Sequence, residues 1–138
     1  MTPAKEDVYV IVFDGGSHGN PGPAYGSYHI RPWRTPEGKI TRLKLGRGTN
    51  NEAEYWTLQA AVRGLLSFLE GRNQDPADAA VEIRGDSQLV IRQLTGEWKA
   101  KNPRMKQLRD DTLALLKTIG SVKLVHHPRE KSVAILGH

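Results

Sequence analysis

Three carboxylates, Asp14, Glu54 and Asp86, each stand where an ordered element begins or ends. Asp14 closes the apolar run Val8-Tyr9-Val10-Ile11-Val12-Phe13 and opens a stretch of Gly, Asn and Pro that reaches Pro23. Glu54 lies in Thr49-Asn50-Asn51-Glu52-Ala53-Glu54-Tyr55, and Asp86 follows Val81-Glu82-Ile83-Arg84-Gly85. Brought together, these groups would make a site for hard divalent cations. Mg²⁺ takes oxygen ligands and keeps several waters, so one or two carboxylates plus substrate phosphate oxygens suffice for each ion. Two such ions about 4 Å apart clamp the attacking and leaving oxygens of a phosphodiester. Taken singly, Asp14 reads better as a turn residue, Glu54 as a helix-start charge and Asp86 as an N-cap. The joint occurrence favours the metal site.

Composition sets the frame. The chain has 138 residues, net charge +5 and a charged fraction of 25%, the size of one soluble globular domain spanning 1–138. A basic balance suits an anionic partner such as nucleic acid. There is no cysteine, which excludes disulfides and thiolate metal sites. No stretch approaches the ~18–20 apolar residues of a membrane span, and Met1–Asp7 has no apolar signal region. The expectation is a monomer in the cytoplasm, without membrane contact.

The elements must then carry the three acids to one place. Residues 8–14 form an apolar run rich in β-branched side chains, predicted as a strand buried on both faces. The Gly and Pro cluster from Gly15 to Pro23 predicts a loop. Ala24–Pro32 and Lys39–Gly46 flank a turn signal, Thr35-Pro36-Glu37-Gly38, and predict a hairpin. Leu58, Ala61, Leu65 and Leu69 fall at helical spacing, with Asn50 or Asn51 as N-cap and Gly71 as the close. Glu54 lies on that apolar face, whereas Glu52, about 200° around the helix, is expected to face solvent. A fourth strand over 81–85, a short helix over 87–94 capped by Asp86 or Ser87, a helix through Leu108 to Ile119 ended by Gly120, and a fifth strand over 122–125 complete the order βββ–α–β–α–α–β. That order predicts a mixed sheet with helices packed on it. The tail from Pro128 to His138 is too short for a substantial final helix.

The three segments around the acids, Asp14–Gly26, Thr49–Tyr55 and Gly85–Val90, closely resemble type 1 ribonuclease H. Gly96–Pro103 and Pro128-Arg129-Glu130 extend the likeness over nearly the whole chain. The resemblance implies the ribonuclease H-like α/β fold: a five-stranded mixed sheet, three antiparallel strands then two parallel, flanked by helices, with the final helix short or absent. It implies hydrolysis of the RNA strand of RNA–DNA hybrids, with RNA–RNA duplex as a second candidate substrate. Mg²⁺ is the implied cofactor, with Mn²⁺ as the alternative. Asp14, Glu54 and Asp86 take the positions of the family's catalytic, metal-binding carboxylates. Gly15, Asn20, Asn50, Asn51 and Gln88 match residues that contact the hybrid, mostly around the RNA 2′-hydroxyls, the group that separates RNA from DNA.

One departure stands out. The family's fourth acidic residue falls, in the register of Pro128-Arg129-Glu130, near Leu136, which cannot ligate a metal. Three carboxylates then suffice, or His138, His127 or Glu130 substitutes, or the C-terminal end is shortened; His138 is carried as a catalytic candidate. Without the fourth acid, a hybrid- or duplex-binding module with weakened turnover is the alternative function, and a junction resolvase of the same fold is a weaker one. Lys99, Lys101, Arg104 and Lys106 surround Trp98; they are either DNA-phosphate contacts or a solvated loop.

Overall fold

Strict alternation along the first strand decides how the sheet is covered. In the computed structural model, which describes residues 7–137, Tyr9, Ile11 and Phe13 point to one face and Val10 and Val12 to the other, all of them buried. The elements run β1 (Val8–Ser17), β2 (Gly22–Pro32), β3 (Lys39–Gly48), α1 (Asn50–Gly71), a 3₁₀ turn (Pro76–Asp78), β4 (Ala80–Gly85), α2 (Gln88–Thr95), α3 (Pro103–Leu116), β5 (Ser121–His126) and α4 (Arg129–Leu136). The sheet order is β3-β2-β1-β4-β5. β1, β2 and β3 are joined antiparallel, and β4 and β5 run parallel to β1. This is the mixed sheet expected from the sequence, with β1 at its centre.

The main core lies on the Tyr9–Ile11–Phe13 face. There Leu58, Ala61, Val62, Leu65 and Leu69 of α1 meet Val90 and Ile91 of α2 and Met105 and Leu108 of α3. Each such side chain, fully buried, contributes about 1.5–3 kcal/mol, so this face fixes α1 rigidly against β1. The opposite face has a small core, in which Leu136 and Ile135 of α4 cover Val10 and Val12. A final helix therefore exists, and it has eight residues. Leu136 is fully buried in it, and its carbonyl accepts a hydrogen bond from Arg42 Nη2 at 2.9 Å.

Several boundaries differ from the sequence reading. β1 does not stop at Asp14. Gly15, Gly16 and Ser17 continue it by pairing with Gly26, Tyr25 and Ala24, so the connection to β2 shrinks to residues 18–21. The cap of α1 is Thr49 rather than Asn50 or Asn51: its side chain accepts from Glu52 N–H, and the Glu52 carboxylate accepts from Thr49 N–H at 3.0 Å. Glu52 is thereby half-buried and further paired with Arg104 at 2.9 Å, not a free surface charge. Ser87 caps α2, and Gly96 ends it in the left-handed conformation, at φ 85°. α1 runs through Gly71 to a cap at Arg72, and α3 ends at Leu116, short of Gly120. Among the described residues no helix is long and apolar enough to cross a membrane.

Candidate active site

β1 presents Asp14 where it draws level with the end of β4, and Asp86 follows Gly85 there, since Phe13 pairs with Gly85 in the parallel ladder. The third acid comes from the first turn of α1. That turn comes close because residue 15 is glycine: a Cβ on Gly15 would lie 2.6 Å from the Ala53 carbonyl oxygen. Gly15 serves helix approach here, and the approach carries Glu54 to Asp14. Gly15→Ala should separate α1 from β1, lower stability by about 1–3 kcal/mol and reduce turnover. Thermal unfolding reads the stability effect, and an unchanged melting temperature would contradict this packing.

The three carboxylates feel one another. Burial first, then the Asp86 charge and a shared hydrogen bond with it, raise Asp14 to about 6, while Arg129 and the Gly15 N–H pull it down. Burial also dominates at Glu54, raised to about 7; a Ser87 hydrogen bond opposes this, and the Asp14 and Asp86 charges add to it. Glu54 Oε2 and Asp86 Oδ2 are buried with no hydrogen-bond partner. Such oxygens are destabilising as they stand and are suited to a cation. Among the described residues no group of three or more His, Asp or Glu side chains is drawn together closely enough to hold a metal ion as it stands. An open site asks for less, because Mg²⁺ completes its shell with water and phosphate oxygens. The donor set, all oxygen with two orphaned atoms, fits divalent Mg²⁺ or Mn²⁺.

Two residues beside the cluster, Ser87 and Arg129, were given no role at the site by the sequence reading. Ser87 bonds Glu54 while its hydroxyl accepts from Val90 N–H, tying α1 to the α2 cap; its place as residue before an apolar helix was the available signal. Arg129, the first residue of α4, directs its charge at Asp14; the Pro128-Arg129-Glu130 motif held it without disclosing its target.

The other candidates fall into groups. Asn20 and Asn50 are coupled: Asn50 N–H donates to Asn20 Oδ1 at 3.0 Å, and Ser17 N–H donates to Asn50 Oδ1 at 2.9 Å. Both amide oxygens are thus occupied, which leaves the amide nitrogens as donors. Asn51 and Gln88 are exposed at the starts of α1 and α2. His127 is buried, its ring nitrogen 2.8 Å from Ser132 Oγ and its backbone N–H donating to Gly85 O, so it fastens α4 to the end of β4. His126 and Glu130 are exposed, and His138 lies outside the described residues. Next to the start of α1, Asn51, Leu89, Glu97, Trp98, Lys99 and Lys101 line an open hollow of about 530 Å³. Trp98 does not enter the core: it is 43% exposed, with the Arg92 guanidinium over its ring. Arg104 is committed to Glu52.

Leu136 supplies no acid to this site. It is packed on Val10 and Val12. Leu136→Asp should lower stability by about 2 kcal/mol through burial of an unmatched polar group, measured by denaturant unfolding, and should not raise turnover.

Sheet order and carboxylate placement define the ribonuclease H class of α/β folds. Residues 33–135 match the family described as Reverse transcriptase-like. Ribonuclease HI of Halobacterium salinarum is 38% identical over 120 residues, covering 85% of this chain and 55% of that protein. A bifunctional protein of Mycobacterium tuberculosis is 34% identical over 126 residues, 89% of this chain and 32% of that one. This chain thus spans about half the length of the first relative and a third of the second. Among solved structures, ribonuclease H1 of Halobacterium salinarum superposes with TM-score 0.76 at 35% identity, over 91% of this chain and 89% of that one. A compost-derived ribonuclease H1, LC11, solved in complex with an RNA/DNA hybrid, gives 0.82 at 33% identity, over the same shares of 91% and 89%. The chain belongs to the type 1 ribonuclease H family.

Proposed function

We propose that this protein hydrolyses the RNA strand of RNA–DNA hybrids with two divalent cations, giving 5′-phosphate and 3′-hydroxyl ends. The observation that carries the reading is the pair of buried, partnerless carboxylate oxygens on Glu54 and Asp86, grouped with Asp14 in a protein of this family. Asp14, which interacts with both other acids, would hold the ions together with Glu54 and Asp86. When bound, Mg²⁺ or Mn²⁺ supplies an activated water and neutralises charge on the scissile phosphate. The protein's residues orient the strand. Asn20 and Asn50 present amide donors, with Asn51 and Gln88 beside them, to the RNA 2′-hydroxyls. Gly15 holds the α1 turn against β1. Lys99 and Lys101 beside Trp98 suit the phosphates of the DNA strand. The LC11 relative bound to a hybrid supports this choice of substrate.

Ionised Asp14 and Glu54 are needed to bind cations, so cleavage rises as pH passes through about 6 to 7. Metal competes with protons for the same oxygens, so more Mg²⁺ should move the acidic limb to lower pH in a rate–pH series. An acidic limb that ignores Mg²⁺ concentration would count against these ligands.

A second reading, binding without turnover, is favoured by the apolar Leu136 at the fourth acidic position. One gel decides: labelled RNA–DNA, RNA–RNA and DNA–DNA duplexes, each with Mg²⁺, Mn²⁺ or chelator. Cleavage of the hybrid with metal and none in chelator is expected. Binding of the hybrid with no cleavage in either metal would install the second reading.

A further inference from the structure

A hollow beside the carboxylates has no part in the machinery above. It opens on the sheet face that carries Asp14. Tyr25 pairs with Gly16, two residues along β1 from Asp14, and cross-strand pairs share a face. Tyr25 is therefore displaced from Asp14 by about 7 Å along the strand, close to two base rises of about 3.4 Å. Its ring is exposed and stacked with His18, centroids 4.8 Å apart and planes 30° apart. His18 is held in place by its N–H bond to Pro23 O at 2.9 Å. On the next strand Lys44 pairs with Tyr25 and Arg47 with Pro23, across a register shift between Ala24 and Tyr25. His18, Tyr25, Lys44 and Arg47 together line an open volume of about 520 Å³, and no carboxylate borders it.

An aromatic platform flanked by two cations is the chemistry of nucleotide capture: bases stack on the ring and phosphates meet the cations. We propose that this hollow is a stacking subsite for an unpaired nucleotide of the RNA strand, where that strand leaves the hybrid beside the active site. The RNA strand is assigned because the 18–21 turn, which carries Asn20 to the Asn50 backbone, borders the hollow. This rests on the hybrid-cleavage reading and adds to it a preference for hybrids with single-stranded RNA extensions.

The test compares a blunt hybrid with hybrids extended by unpaired RNA at either end, and with DNA extensions of the same sequence. Binding is measured in chelator with 2-aminopurine at the first unpaired position. One of the two RNA extensions should raise affinity about tenfold over the blunt hybrid and quench the probe. His18→Ala with Tyr25→Ala, and separately Lys44→Ala with Arg47→Ala, should return affinity to the blunt value and leave cleavage of blunt hybrid unchanged. The four positions are exposed, and the charge pair stands apart from any folding effect at Tyr25. The proposal is overturned if neither RNA extension gains affinity, if the gain survives both double variants, or if DNA extensions gain it equally. Loss of the cleavage reading is separate: it shows as blunt hybrid bound but uncut in Mg²⁺.

Discussion

Asp14→Asn should lower Mg²⁺-dependent hybrid cleavage at least about 10³-fold and leave the fold intact. The rate follows from charge. Asp14 stands in hydrogen-bonding contact with Asp86 and within the field of Glu54, so it is the acid that interacts with both of the others. On the proposed mechanism, losing it would remove one anionic ligand from the cation site, and transition-state stabilisation by such ions amounts to several kcal/mol, at about 1.4 kcal/mol per tenfold in rate. The fold should persist because Asn is isosteric and Asp14 holds none of the apolar core. Hybrid turnover and circular dichroism of the variant are the paired measurements. Turnover within a few-fold of wild type would remove Asp14 from the chemistry.

Glu54→Gln should do the opposite to stability: inactive, yet more stable than wild type at pH 8 without metal. The folded-state value of Glu54, about 7, stands above its ordinary 4.5. Between those limits the folded protein holds more protons than the unfolded chain, so stability falls as pH rises through that window. By pH 8 nearly the full penalty is present, on the order of 3–4 kcal/mol at about 1.4 kcal/mol per pH unit between the two values. Gln cannot ionise and escapes it. Denaturant unfolding in chelator should show the variant ahead at pH 8 and the two proteins level near pH 4. Added Mg²⁺ should then stabilise wild type more than the variant, since only wild type keeps the full ligand set. A variant less stable than wild type at pH 8 would show that Glu54 is not held against its charge. Sites built for chemistry often carry such a penalty.

Much of the positioning was readable from local patterns. The β-branched run at 8–13 and the helical stripe Leu58–Leu69 place Asp14 and Glu54 on elements that must pack, and the 3.6-residue period turns Glu54 inward. What escaped was set by partners distant in sequence. Gly15 and Gly16 carry no side-chain periodicity, so only their pairing with Gly26 and Tyr25 shows that β1 continues. Glu52 was expected to face solvent, but Thr49 and Arg104, the latter 52 residues away, occupy its carboxylate and leave its side chain 19% exposed. The eight residues of α4 looked too few to matter, yet Leu136 and Ile135 suffice to cover two valines. Asn50 was readable as a helix-start amide; its link through Asn20 to the glycine turn required the fold.

Asp14, Glu54 and Asp86 are proposed to hold divalent cations together, and anomalous diffraction from crystals saturated with Mn²⁺ and hybrid would reveal such ions. The expected map has Mn²⁺ peaks within about 2.5 Å of oxygens from all three side chains. Peaks lying elsewhere, or three carboxylates with no Mn²⁺ between them, would contradict it.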